Sequence, residues 1–166
     1  SRPGTGGTPN LRSAVLIENS KLPAKSPDVP AVRGGGAERN AVPSYDFGPV
    51  RVKKRLVHDL PYRASALRSL GAYNNVIVNE GLIDEIALNV GEDPLDFRIK
   101  HCADDRSKEL LLRLDTETKT YRKKLKESQG WGVAYARYKG VSGLCAVFVS
   151  VTVDEEVSVD HVVSVS

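Results

Sequence analysis

The chain has no methionine, only two cysteines and few aromatic residues, and each shortage narrows what it can be. Aromatic residues make up 6% of the 166 residues, which gives little support to a nucleic-acid surface built on exposed stacking rings. Cys102 and Cys145 match neither a metal-ligand spacing nor a disulfide framework. The missing methionine predicts an excerpt of a longer protein, with removal of an initiator or a cloning boundary as the alternative.

Long apolar runs and clustered histidines are also lacking. No segment reaches the roughly eighteen apolar residues of a membrane span, and no charged-then-apolar leader stands at the start. His58, His101 and His161 have no second ligand-type residue at a helical or hairpin offset, so no metal site is predicted from them. The sequence leaves both the cytoplasm and export to the periplasm open.

The composition is that of an ordinary globular domain, with 40% hydrophobic and 27% charged residues and a net charge of +3. Basic residues cluster in "VRVKKR" (50–55) and "YRKKLK" (121–126). Such runs are most often solvated faces. A basic binding module for DNA or RNA is the weaker alternative, and steep salt dependence of binding would support it.

The chain divides by composition near residue 50. Residues 1–49 are rich in Gly, Pro and Ser and predict an extended irregular arm, either a linker or a segment ordered by a larger protein. The "RGGGAER" stretch (33–39) follows no predicted strand and opens no helix, which favours a flexible turn over a phosphate cradle.

Residues 50–166 predict part of a larger domain. Alternation predicts a half-exposed strand over 50–57, and a helix follows over about 74–89, ended by Gly91 as its left-handed C-cap. Apolar residues share one broad face of this helix, with Asp84 and Glu85 outside it. The members of that face are Val76, Leu82, Ile83, Ile86, Ala87 and Val90.

Two further helices and a β-rich end complete this part. Asp93 is the predicted N-cap of the second helix, and the third spans about 107–128 with the basic run 121–126 at its end. Alternation predicts strands over 132–139, 144–153 and 157–166, with Cys145 as a small core residue. The fold class is α+β, three helices packed on a mixed or antiparallel sheet. Paired carboxylates such as Asp84/Glu85 fall at exposed positions, caps or turns and need no catalytic role.

The best candidate site is the junction Arg68-Ser69-Leu70-Gly71, just before the first helix. Backbone N–H groups at a helix start are unsatisfied donors that favour an anion. Arg68 adds a fork of donors, and Gly71 allows another group to approach the backbone closely. The alternative is an arginine that pairs locally at a plain turn.

Three stretches, in order, carry a resemblance to a known family: "RNAVPSYDF", "PYRASALRSLGAYNNVIVNEGLIDEIALNVGEDPLDFRIKHC" and "GWGVAYARYKGVSGLCAVFVSVTVDEEVSVDHVVSV". The chain resembles the molybdopterin-binding large subunit of the aldehyde oxidase / xanthine dehydrogenase family, in its isoquinoline oxidoreductase-like subgroup. The similarity runs over nearly the whole chain. The combination of motifs is specific, whereas each motif alone is weak.

The resemblance implies a molybdenum hydroxylase that oxidises aldehydes or N-heterocycles with oxygen from water. It implies a molybdenum–molybdopterin cofactor, and iron–sulfur clusters on a partner domain or small subunit. Arg68, Ser69 and Gly71 would then contact the cofactor, and Leu70 would line the substrate channel in place of the family's more common phenylalanine.

The resemblance also implies what this chain does not supply. The family's general-base glutamate lies in a Gly-rich motif that matches nothing here, so no catalytic residue is assigned. The chain is therefore expected to be a piece of a larger molybdopterin-binding domain that needs the remainder of the large subunit and is inactive alone. A non-enzymatic remnant or interaction module is the alternative.

Overall fold

The computed structural model describes residues 28, 30, 34–55, 68–123 and 125–166. These described residues form three helices, a short 3-10 turn at Tyr138–Gly140 and three strands. The helices are α1 (Gly71–Asn89), α2 (Pro94–His101) and α3 (Asp105–Thr118), and the strands are β1 (Gln129–Arg137), β2 (Leu144–Val153) and β3 (Val157–Val165). The strands pair antiparallel in the order β1-β2-β3, which confirms the α+β prediction.

Helix α1 ends as predicted but buries a different face. Gly91 has φ 73°, and Glu92 donates its backbone N–H to the carbonyl of Ala87, which closes the helix end. The predicted broad apolar face is only partly right, because Leu82 and Val90 are each more than half exposed. The buried residues are Gly71, Ala72, Glu80, Ile83 and Ala87. Helix α1 packs against both the core and residues 36–41. Its buried positions therefore do not form a single apolar stripe.

Helix α2 begins as predicted, since the Asp93 carboxylate accepts from the backbone N–H of Leu95 at 2.8 Å and of Asp96 at 3.2 Å. Helix α3 begins after Asp104, which caps Ser107 N–H at 3.1 Å.

The predicted end of the third helix at residue 128 is wrong. Thr118 ends α3, its hydroxyl donates to the Leu114 carbonyl, and the N–H groups of Tyr121 and Arg122 turn back to its own carbonyl. The guanidinium of Arg122 also bonds Asp93 and Asp115. The basic run 121–126 therefore lies beyond the helix, and the last turn of α3 has no basic residue.

The inner side of the sheet faces the helices and carries the β part of the core. Val133 and Tyr135 of β1 are buried beside Ala146 and Phe148 of β2. Cys145 is exposed, so its prediction as a core residue is wrong. The register places Leu144 and Ala146 inside, and Cys145 between them must point to the opposite side.

The polypeptide before α1 forms no long element within its described part. Residues 50–55 are exposed and form no strand, contrary to the predicted strand, and residues 56–57 lie outside the described residues. Tyr45 is buried and makes an isolated antiparallel bridge with Cys102. The proposed division of the chain at residues 49 and 50 stays a prediction.

Candidate functional site

The junction before α1 is conformationally strained. Ser69 has φ 75°, and Leu70, the residue that caps α1, has φ 52° and ψ −125°. Side chains with a Cβ rarely occupy these regions, and each such residue costs roughly 1–3 kcal/mol. Strain of this size is retained where surrounding contacts enforce it, often at ligand-binding sites. Two strained residues in succession therefore support the choice of this junction as the candidate site.

The N-terminus of α1 also lacks compensation for its positive dipole. Leu70 offers no side-chain cap, and no acidic residue stands in the first turn. The Gly71 N–H reaches the Gly36 carbonyl at 3.2 Å, and the Ala72 N–H reaches the Ser69 carbonyl at 3.0 Å. Arg68, which is exposed, adds a second positive charge at this end. An anion between the helix end and the guanidinium would relieve the repulsion between them.

Gly71 uses its missing side chain for packing within the chain. A Cβ at this position would lie 2.3 Å from the Ala37 carbonyl oxygen and 2.5 Å from that of Gly36. Only glycine permits so close an approach of two backbones. The contact partner in this structure is thus the loop at residues 36–37, and the predicted contact of Gly71 with a cofactor stays a prediction.

The loop of residues 34–40, which contains the three glycines, is closed by its own arginine. Buried Arg39 donates from Nε to the Gly34 carbonyl at 2.9 Å and from Nη2 to the Gly35 carbonyl at 2.7 Å. Its Nη1 also donates to the Tyr138 hydroxyl at 2.7 Å. The Ala37 N–H, which a phosphate cradle would present to its ligand, donates to the Asp28 carboxylate at 3.1 Å. The loop is therefore a turn that supports the junction, and the Ala37 N–H is engaged within the chain.

These residues provide a partial fit to an anionic cofactor. Exposed Arg68 and half-buried Ser69 supply positive charge and hydrogen-bond donors, the start of α1 adds its dipole, and half-buried Leu70 supplies an apolar wall. Gly71 is buried behind them and would act by positioning the backbone. The structure brings together all four predicted site residues because they are consecutive. It adds the 34–40 loop as their support, which periodicity in the sequence could not indicate.

The sequence did not predict the buried ionic network that lies next to the core. Arg98 is fully buried and donates from Nε to Glu80 Oε2 at 3.0 Å and from Nη1 to Asp84 Oδ1 at 2.6 Å. The Glu80 carboxylate also accepts from the Tyr45 hydroxyl at 3.0 Å and from the Tyr135 N–H at 2.8 Å. Asp84 is thus a partner of Arg98 rather than a purely exposed residue. The network joins α1, α2, β1 and the segment before α1.

Burial dominates the electrostatics of this network. Burial raises the pKa of Glu80, while Arg98 and the Tyr135 N–H act in the opposite direction. Burial and the nearby Glu80 carboxylate raise the pKa of Tyr45, so its hydroxyl remains a donor. Burial is the largest single influence on Arg98 and lowers its pKa, but Glu80, Tyr45 and Asp84 together outweigh it, so the net shift is upward. With its oxygens so engaged, Glu80 holds the fold together and is not available as a general base. The spacing of four residues between Glu80 and Asp84 places both carboxylates on one face of α1, and this was the visible sign of the network in the sequence.

A serine and a histidine also meet at an open cavity of about 520 Å³ beside β3. Ser150 Oγ lies 3.1 Å from His161 Nδ1, and the His161 ring lies 4.2 Å from the Tyr121 ring. In a nucleophilic triad a carboxylate would orient the histidine. The neighbouring Asp160 carboxylate instead accepts a hydrogen bond from the Thr152 hydroxyl.

Among the described residues no group of three or more His, Cys, Asp and Glu side chains is placed to hold a metal ion. No helix among these residues is long and apolar enough to cross a membrane.

Comparison with known proteins places the chain beside a stretch of an oxidoreductase subunit. Over 145 residues it is 32% identical to a subunit of the nicotinate dehydrogenase of Pseudomonas putida. The aligned region covers 81% of this chain and 11% of that relative. No protein-family model matches the chain. The similarity supports the family resemblance coarsely, as similarity to an oxidoreductase subunit, and does not distinguish the isoquinoline subgroup.

Proposed function

We propose that the chain is a cofactor-contacting piece of the large subunit of a molybdenum hydroxylase. The observation that carries the proposal is the Arg68–Gly71 junction, where a strained backbone and an uncapped helix end meet an exposed guanidinium. The motif resemblance and the similarity to the nicotinate dehydrogenase subunit support the same assignment. Against the nucleic-acid alternative, Lys54 and Arg122 of the two basic runs are engaged in ion pairs within the chain.

Each residue of the junction has a separate role in this proposal. Arg68 binds and orients an anionic part of the molybdenum–molybdopterin group, and the positive end of the α1 dipole favours the same charge. Ser69 adds a hydroxyl donor, and Leu70 excludes water from the substrate side. Gly71 fixes the position of the whole junction by locking against residues 36–37.

When bound, the cofactor supplies a two-electron acceptor for hydroxylation with oxygen from water. The substrate would be an aldehyde or an N-heterocycle, and electrons would leave through an iron–sulfur small subunit. The chain spans 11% of the length of its relative, so the general base and most cofactor contacts belong to the remainder of the large subunit in this proposal.

The first experiment is to read the coding sequence on both sides of this segment. The proposal expects an open reading frame that continues to a Gly-rich motif containing a glutamate. Stop codons close to both ends, with no such motif in a neighbouring frame, would contradict it and favour a remnant or interaction module.

The second experiment substitutes Arg68→Ala in the complete subunit, with Arg113→Ala on the exposed surface of α3 as the matched control. We expect Arg68→Ala to lower both molybdenum content and turnover. An effect of about 1.5–3 kcal/mol is typical of a charge-assisted hydrogen bond and corresponds to roughly tenfold or more. Equal molybdenum content and turnover in the two variants would remove Arg68 from the site.

A further inference from the structure

The sheet has a second side that lies opposite the helices, and we call it the outer face. It contains glycine and alanine on β1 and mainly valine on β2 and β3, and none of its positions is charged. Its members are the alternate residues 130–136 of β1 and 145–153 of β2, with Val157, Val159, Val162 and Ser164 of β3.

The outer face has the composition of a covered surface, although no described residue covers it. Val157 is 69% exposed and Val162 is 62% exposed. An antiparallel sheet with one solvated side normally alternates apolar and polar residues, whereas strands apolar on both sides occur where both faces are covered. The outer face therefore has the pattern expected of an interface.

Two strand glycines provide an independent sign of a close neighbour. A Cβ added at Gly130 or Gly132 would meet no atom within 4 Å, and neither has a positive φ. The described residues therefore give no reason for glycine at these two positions, although glycine weakens a strand. Interior strand glycines often mark the close approach of another backbone. Gly132 pairs with Val149, so a shallow trough over β1 adjoins a ridge of valines.

We propose that the outer face is the docking surface for an apolar layer of the remaining large subunit, with its backbone seated close over Gly130 and Gly132. This inference rests on the proposed function, because it takes the missing polypeptide of that subunit as the occupant. The relative has the length to supply such a layer, since the matched region is only 11% of it. The absence of charge on the outer face requires an uncharged partner surface, as buried unpaired charges are costly.

The test uses Cys145 as a native reporter of coverage. Cys145 is exposed on the outer face, with its sulfur 3.7 Å from the Ser164 hydroxyl. Cys102 is half-buried, and burial raises the pKa of its thiol, so it serves as a slowly reacting internal reference. The probe is the nicotinate dehydrogenase subunit of Pseudomonas putida from which the 145 matching residues have been removed, co-expressed with this chain.

We expect the chain to co-purify with the probe, and maleimide labelling of Cys145 to slow by about tenfold or more relative to the chain alone. Gly132→Val should not disturb the packing among the described residues, because its Cβ meets open space there. It should still reduce co-purification by about tenfold, the effect of one overpacked contact. Gly143→Val, which also meets open space but lies before β2, is the matched control.

Three results would overturn the inference. The first is co-purification with Cys145 as reactive as in the free chain, which would leave the proposed function intact but place assembly elsewhere. The second is an equal effect of Gly132→Val and Gly143→Val. The third is no co-purification, in which case a dimeric chain with protected Cys145 would identify a second copy as the occupant. Arg68→Ala should change metal content without changing co-purification, which separates this inference from the proposed function.

Discussion

At the residue scale, Arg98 is a fully buried cation held by four hydrogen bonds. Its buried guanidinium bonds two carboxylates and the carbonyls of Glu80 and Pro94. Lysine carries its charge on one ammonium group and cannot reproduce the planar fork of donors of a guanidinium. The value of the network lies in the cost of breaking it, because removal of one partner leaves the other charge buried and unpaired.

We expect Arg98→Met to lower the free energy of unfolding by about 3–5 kcal/mol, as for other buried pairs that lose one partner. Urea denaturation at neutral pH measures the change. Arg98→Lys should recover only part of the loss, and Lys100→Met, which breaks the exposed pair with Glu92, should cost about 0–1 kcal/mol. Similar losses for Arg98→Met and Lys100→Met would show that the network does not stabilise the fold.

The lowered pKa of Asp104 predicts that the free energy of unfolding depends on pH. The Ser107 hydroxyl donates to its carboxylate at 2.6 Å and, with the Ser107 N–H and Arg137, lowers the pKa of Asp104 below its ordinary value of 3.8. A lowered pKa in the folded state means that the ionised form favours folding. This stabilisation is therefore complete above about pH 4 and is lost as the pH falls through the folded pKa.

Asp104→Asn keeps an N-cap acceptor but removes the charge. We expect it to destabilise the chain at pH 7, and the difference from wild type to shrink as the pH falls below 4. Chemical denaturation between pH 2 and pH 7 gives the comparison. A difference that stays constant over this range would show that the charge makes no contribution.

At the element scale, two glycines in α1 predict opposite effects of the same substitution. Gly71→Ala should destabilise the chain by about 1–3 kcal/mol, because the new Cβ would overlap the backbone of residues 36–37. Gly81→Ala should stabilise it by about 0.5–1 kcal/mol, because the Cβ meets open space and alanine is the better helix former. Thermal denaturation of both variants is the measurement. Equal effects would contradict the contact between α1 and the loop.

The elements that sequence patterns predicted well are those determined by local interactions. Asp93 and Gly91 mark helix ends through caps that involve their immediate neighbours. The strands at 144–153 and 157–165 follow from alternation. The fold class was therefore within reach of the sequence.

The errors arose where distant contacts decide the structure. Helix α3 ends at Thr118, and beyond it Arg122 pairs with Asp93 at the start of α2 and with Asp115. Glu80 is buried because Arg98, Tyr45 and Tyr135 converge on it from other elements. The support of Arg68–Gly71 by residues 34–40 likewise depends on a contact between segments far apart in the sequence, which no local pattern contains.

At the scale of the whole molecule, the segment before α1 is attached to the body by an asparagine pair. Asn75 Nδ2 donates to the carbonyls of Ala37 and Arg39 at 2.8 and 2.9 Å, and Asn79 Nδ2 donates to that of Asn40 at 3.0 Å. Residues four apart share a helix face, so these two amides hold the turns of residues 36–41 against α1. The described part of the predicted irregular arm thus belongs to the packed structure from residue 34 onward.

The double variant Asn75→Ala/Asn79→Ala should detach residues 36–41 from α1 while the sheet remains folded. Three carbonyls lose their partners, and at about 0.5–1.5 kcal/mol per hydrogen bond the loss should reach about 2–4 kcal/mol in local stability. Native-state hydrogen exchange should show faster exchange in residues 36–41, with β2 unchanged. Asn74→Ala, the same substitution at an exposed neighbour, is the control. If both variants exchange alike in 36–41, the asparagines do not hold the segment, and the backbone contact at Gly71 must carry its attachment.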